Sequence, residues 1–185
     1  MLSLPISIAL STILTNRDSI PKQLVKILVI LGLTIPVIFW VTVAIISIGI
    51  GKIAAIATIT LVVTPLMTVT LTEGVKNMRA DIDEMAKLFR FSGWIRFRHI
   101  VIPQLSPYLI ASLRTGISNA WKVALVTEIF GISNGIGYQI ILSFYQFSSS
   151  LIYAWTIGFT LIILVLDAIM VKLTSLALNR FVRFS

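Results

Sequence analysis

The stretch ILVILGLTIPVIFWVTVAIISIGIG, Ile27 to Gly51, holds 25 consecutive residues without a charged side chain. As a helix rising about 1.5 Å per residue it would cross the roughly 30 Å hydrocarbon core of a bilayer with some tilt. Working outward, Ile53 to Thr72 forms a second uncharged run, and Glu128 and Asp167 bracket a further 38 uncharged residues. That long segment reads as a loop outside the membrane around Ser133 to Tyr138, followed by a span near Leu151 to Val171. A less hydrophobic span covers Pro107 to Thr127. MLSLPISIALSTILTN at the start is apolar but too short to cross alone, and it lacks the basic flank of a signal peptide, so it reads as part of a span. Pro36 and Pro65 predict kinks. The composition agrees, with 57% hydrophobic and 12% charged residues and a mean hydropathy of +1.01. The expected fold is all-α, with about four full transmembrane helices plus a partial N-terminal span in one domain over residues 1–185.

The 15 Lys and Arg are unevenly placed, and cytoplasmic loops of membrane proteins are enriched in such residues. Arg17, Lys22 and Lys26 precede the Ile27 span, six basic residues lie between Lys76 and Arg98, and Lys172, Arg180 and Arg183 close the chain. Only Lys52 separates the first two spans, and residues 129–150 contain no basic residue. One topology puts every cluster in the cytosol, with residues 16–26, 73–106 and the tail inside, and residues 51–52 and 129–150 outside. The net charge of +8 then reflects topology and contact with anionic lipid rather than nucleic-acid binding. The absence of cysteine excludes disulfide and thiol chemistry.

Residues 81–107, DIDEMAKLFRFSGWIRFRHIVIPQLSP, form a charged, amphipathic island in this apolar chain. Asp81 and Glu84 have the spacing of a helix-start capping box. Met85, Leu88 and Phe89 then share one face, with Lys87 and Arg90 off that stripe. Gly93 is placed to end this helix in a left-handed conformation. Trp94, Phe97 and Val101 mark a second short helix, and Pro103 and Pro107 punctuate the return to the membrane. Pattern alone fits two readings equally, a docking element for a cytosolic partner and an amphipathic helix resting on lipid.

The island resembles the cytoplasmic signature loop of bacterial ABC importer permeases: Glu84, Ala86, Ser92, Trp94 and Pro103 fit its pattern, while Arg90 stands where the family has Gly, with Phe91 beside it. IPVIFWVTVAIISIGIGK at Ile35–Lys52 and LRTGISNAWKVALVTEIFGISNGIGYQI at Leu113–Ile140 resemble the nitrate, sulfonate and taurine branch. The resemblance implies a type I importer permease of the bacterial inner membrane, not an enzyme, with residues 81–107 as its cytosolic coupling loop. It further implies an ABC ATPase subunit, an extracytoplasmic substrate-binding protein and a second permease copy as partners. This chain holds no cofactor in that reading; ATP and Mg are bound by the partner ATPase, in keeping with the lack of a Gly-x-x-x-x-Gly-Lys-Ser/Thr loop here. The ATPase-coupling residues are Glu84, Met85, Ala86, Leu88, Phe89, Arg90, Ser92, Gly93 and Pro103. Family members also have membrane sequence before the point matching Met1, which makes a fragment or an internal start the expectation.

Charges inside a membrane are costly and call for a role. Arg114 and Lys122 lie eight residues apart, within about 80° of one helix face. With Trp121 and Glu128 they form the expected translocation path, in which two cations assist an anion such as a sulfonate or nitrate; the resemblance makes nitrate, sulfonates or taurine the leading substrates. Snorkelling of Arg114 and Lys122 and a Lys122–Glu128 pair are the structural alternatives. Asp167 is expected to pair with a neighbour, and His99 to be solvated or near headgroups rather than on a metal. The functional alternatives are a permease for a thiamine-precursor pyrimidine and a truncated, non-transporting scaffold.

The topology has a direct test, because cysteines introduced at Ser92 and Ser133 meet no native thiol. An impermeant maleimide applied to intact cells should label Ser133→Cys and leave Ser92→Cys unlabelled until the membrane is opened; labelling of both from outside overturns the topology.

Overall fold

The computed structural model describes residues 2–15, 20–79, 85 and 91–182, with the side chains of residues 20 and 175–182 left aside. Every regular element among the described residues is helical. In chain order these are α1 Ser3–Thr15, α2 Ile20–Thr34, α3 Val37–Ile48, α4 Lys52–Lys76, α5 Gly93–Arg96, α6 Ile102–Gly131, α7 Ile136–Tyr145 and α8 Ser149–Val182, with a π-helical turn Phe97–Val101 joining α5 to α6. Two helices, α4 and the Ser149–Thr174 part of α8, are long and apolar enough to cross a bilayer unaided, and up to four spans result if α2 with α3 and α6 with α7 each count as one.

The 25-residue stretch from Ile27 to Gly51 is not one helix. α2 and α3 meet at 103°. Proline supplies the cause, because Pro36 has no N–H to continue the helical ladder and its ring pushes the preceding residue out of the α region. The backbone at Pro36 is extended (φ −58°, ψ 142°), Ile35 N–H closes α2 on the Leu31 carbonyl at 3.0 Å, and Phe39 N–H opens α3 on the Pro36 carbonyl at 3.0 Å. Pro65, by contrast, sits buried within the continuous helix α4. α3 and α4 are joined through Gly49 (φ 97°, ψ 169°) and Gly51 (φ 149°, ψ −175°), a region of backbone space that is essentially closed to residues with a Cβ.

α4 is the centre of the bundle and contacts α1, α2, α3 and α6. Between apolar helices in lipid, association rests on van der Waals packing, and small residues allow the backbones to come close. The close contacts here follow that rule. A Cβ on Gly32 of α2 would overlap the Pro65 ring, one on Gly74 of α4 would meet the Tyr108 ring, and one on Gly116 of α6 would come within 2.7 Å of Met67 Sδ. Val41, Val63, Met67 and Leu71 fill the centre. α4 also buries Thr58, Thr68 and Thr72, whose hydroxyls donate to the carbonyls of Ala54, Thr64 and Thr68 at 2.7–2.9 Å. Ser7 of α1, fully buried, reaches the Thr64 carbonyl at 3.1 Å and so ties α1 to α4. α8 has no buried residue along its apolar window and presents it outward.

Two expectations for the island change. Gly93 does not end a helix; it begins α5, with Ser92 as N-cap accepting from Ile95 N–H at 3.4 Å. Nor do Pro103 and Pro107 break the chain on its way back to the membrane. Pro103 occupies the first turn of α6, where a missing N–H costs little, and Pro107 is carried inside the same 30-residue helix. The first half of the island, residues 81–84 and 86–90, lies outside the described residues.

Between α7 and α8 the chain turns through a Schellman motif: Ser148 N–H donates to the Ser143 carbonyl and Phe147 N–H to the Phe144 carbonyl, both at 3.0 Å. Phe147 holds the left-handed position (φ 52°) usually given to glycine, at a cost of about 1 kcal/mol, and its side chain is 92% exposed. Residues 129–150, expected as one outer loop, therefore contain the helix α7.

The α4–α6 contact yields a stability prediction. Gly116→Leu should overpack the seam against Met67 and Val63 and lower stability by about 1–3 kcal/mol, read as an earlier midpoint in mixed-micelle denaturation. An unchanged midpoint would show that the seam yields freely.

Candidate functional site: a polar groove along α6

The 30-residue helix α6 carries charge in its middle, at Arg114 and Lys122. Arg114, Ser118 and Lys122 recur every four residues, so they share a face, with Thr115 and Asn119 beside them. These side chains line an open groove of about 480 Å³ that Pro107 and Ala111 continue toward one end and Asp167 of α8 closes from the side. Arg114 Nη2 lies 3.5 Å from Asp167 Oδ2, and Ser118 Oγ donates to Asp167 Oδ1 at 3.2 Å. Asp167 is thus held by a cation and a hydroxyl on the neighbouring helix. Among the described residues no carboxylate lies within ion-pair distance of Lys122, whose side chain is exposed in the groove.

Glu128, further along α6, does something different. Its carboxylate accepts from Gly137 N–H at 2.9 Å, at the first turn of α7. A carboxylate there satisfies an amide that has no intrahelical partner and lies at the positive end of the helix dipole. The two helices are bent by 46° around this contact. The glycines make it possible: Gly135 has φ 103°, a Cβ on it would overlap the Glu128 carboxylate, and one on Gly137 would come within 2.5 Å of the Leu125 carbonyl oxygen. The Lys122–Glu128 pair weighed from the sequence is not formed among the described contacts. Trp121 stands beside Arg114 and Ser118 in the shallow α6–α8 crevice with Ile163 and Met170, outside the groove that holds Lys122.

At the island end, Arg79 N–H donates to Gln104 Oε1 at 2.8 Å and ties the chain leaving α4 to the first turn of α6. Trp94 and Phe97 are exposed, with ring centroids 6.2 Å apart, and Phe91, Ile95 and Met85 are exposed as well. His99 Nδ1 lies 3.2 Å from the Ile95 carbonyl, a local helical contact. Of the coupling residues expected from the sequence, Met85, Ser92, Gly93 and Pro103 are described; Glu84, Ala86, Leu88, Phe89 and Arg90 lie outside the described residues.

Sequence reasoning singled out Arg114, Trp121, Lys122 and Glu128. The structure brings Arg114 and Lys122 into one groove, places Trp121 on its flank and gives Glu128 to α7. It adds Ser118, Asn119 and Asp167 to the groove. The four-residue recurrence of Arg114, Ser118 and Lys122 was the available signal for Ser118, whereas the partner of Asp167 lies 53 residues away and has no local signature.

A multi-pass helical membrane protein with a charged groove along one helix is the class these features define. Residues 3–180 match the family of inner membrane components of binding-protein-dependent transport systems, and the chain belongs to that family. It is 30% identical over 137 residues to the bicarbonate transport system permease protein CmpB of Synechocystis, covering 73% of this chain and 48% of that protein. It is also 29% identical over 65 residues to the putative aliphatic sulfonates transport permease protein SsuC of Escherichia coli, covering 35% and 25% of the two chains. The nitrate import permease protein NrtB of Synechococcus elongatus is 30% identical over 67 residues, covering 36% and 24%. The chain thus spans about half the length, or less, of these relatives.

The Glu128 contact makes a specific prediction. Glu128→Ala should cost about 0.5–2 kcal/mol as a lost helix cap, while Glu128→Gln, which keeps an acceptor, should lose less. Denaturation midpoints of the two variants check this, and equal losses would remove the capping role.

Proposed function

We propose that this chain is the membrane permease subunit of an ABC importer and that the α6 groove is its share of the path for a small anion. The observation that carries the reading is the placement of Arg114 and Lys122 on one open groove, with Arg114 balanced by Asp167 and Lys122 not. An unbalanced cation in a low-dielectric surrounding attracts an anion far more strongly than one in bulk water. Asn119 and Ser118 add hydrogen-bonding groups without adding negative charge. The solutes in the relatives' names, bicarbonate, aliphatic sulfonates and nitrate, are all anions. Nitrate, sulfonates and taurine remain the leading substrates, joined by bicarbonate.

In this reading a separate ATPase binds ATP and Mg, a binding protein outside delivers the solute, and a second permease copy completes the path. Nucleotide shifts the membrane equilibrium only through a difference in affinity for its two states. The cytosolic loop transmits that difference. Its described part suits the role, since exposed Trp94, Ile95 and Phe97 offer an apolar surface beside basic residues, and the Arg79–Gln104 contact joins the loop base to both α4 and α6. The same coupling role is assigned from the sequence to Glu84, Met85, Ala86, Leu88, Phe89 and Arg90.

Reconstitution of the full complex tests the path. Lys122→Gln should slow anion uptake about tenfold and weaken solute-stimulated ATPase activity while the complex still assembles, the equivalent of about 1.4 kcal/mol in the transport barrier. Arg114→Gln should reduce assembled protein more than it reduces turnover, because it leaves Asp167 without its cation. Wild-type uptake by Lys122→Gln would remove the anion path.

A further inference from the structure

A second cavity, of about 510 Å³, opens at the opposite side of α4, between the end of α1, the start of α2 and the end of α4. Its rim carries Lys22, Lys26 and Lys76, with Glu73 the acidic residue among its lining. Lys26 and Lys76 outnumber Glu73, so this lining is net positive without counting Lys22. The floor is of another kind: Val29, Leu33 and Val69 give it an apolar surface running from the charged mouth along the helices. A cationic mouth above an apolar trough matches the two halves of one molecule, an anionic head and a hydrocarbon tail.

We propose that this cavity binds an anionic phospholipid, its phosphate between Lys26 and Lys76 and one acyl chain along Val29, Leu33 and Val69. Three observations support that occupant over a free anion or a peptide. The lysines come from two helices, α2 and α4, whose ends the fold brings together, so the charge is built across the groove. The trough is apolar where a soluble anion would need hydrogen-bond donors. The mouth also lies at the end of the bundle that carries the basic clusters, which is the end the charge distribution assigns to the cytosolic leaflet, where anionic lipids gather. Because the groove joins α1, α2 and α4, a lipid seated there would bridge all three helices.

The test uses the full chain, delipidated in neutral detergent and then offered dioleoyl phosphatidylglycerol or dioleoyl phosphatidylcholine, with bound lipid counted by native mass spectrometry. Wild-type protein should retain the anionic lipid preferentially. Lys26→Gln combined with Lys76→Gln should weaken that binding roughly fivefold for each lysine removed and leave the phosphatidylcholine adduct unchanged. Val69→Trp keeps the charges and fills the trough; it should abolish the preferential adduct. Circular dichroism confirms that each variant is folded, and if Val69→Trp is not, the lysine variant carries the test alone. Equal retention of the two lipids by wild type, an undiminished preference in the lysine variant, or binding unaffected in a folded Val69→Trp each overturns the proposal. So does the absence of any adduct.

Discussion

Close backbone approach around α4 is the constraint on which the bundle depends. Lipid is as apolar as the helices, so burying leucine against leucine gains little, and the helices hold together through dispersion contacts that decay steeply with distance. Gly32, Gly74 and Gly116 remove the atoms that would hold neighbours away from α4, and Pro65, Tyr108 and Met67 fill the space. The buried threonines solve a second problem. Each hydroxyl bonds within its own helix, so polar groups enter the centre without lacking a partner. Thr64 is the exception, its hydroxyl oxygen buried without a partner among the described residues.

With α4 as a fixed core, α6 can carry charge. One face of α6 packs through Ser112 and Gly116 against α4, and the opposite face holds Arg114, Ser118 and Lys122. The two ends of the helix then differ in what their polar residues accomplish. Asp167 and Arg114 join α6 to α8, Glu128 joins it to α7, and Lys122 between them is left with an open approach. Removing Asp167 would leave two like charges on the same face, which suggests why the sequence supplies a single carboxylate from α8 rather than none.

Much of this was legible in the residues. The uncharged runs gave helices, and the eight-residue spacing of Arg114 and Lys122 gave a shared face on α6. Pro36 announced a disturbance but not its size: a proline can be carried within a helix, as Pro65 is in α4, or end it, and surrounding packing decides which. Gly93 was misread because glycine serves at both ends of a helix, and Ser92 before it was the better guide, being a preferred N-cap. Glu128 was read as part of the translocation path, with a Lys122 pair as the alternative. Its partner is instead a backbone amide nine residues on, and the Gly-x-Gly at Gly135–Gly137 was the clue that a side chain would come close there. The groove rim of Lys22, Lys26 and Lys76 had been read only as a topology signal, since nothing in one dimension shows that α2 and α4 bring those residues together.

The bend between α2 and α3 also affects the bilayer itself. At about 1.5 Å per residue the 15 residues of α2 and the 12 of α3 reach only about 22 and 18 Å, and at 103° their lengths do not add along one direction. α4, with 25 residues, reaches about 38 Å. Among the described helices the hydrophobic length is therefore uneven, shorter across α2–α3 than along α4 or α8. Lipid must thin locally on one side or the bundle must lean to equalise the mismatch, at fractions of a kcal/mol per Å. Bilayer thickness thereby becomes a variable to which the tilt of this protein is coupled, through a single proline at position 36.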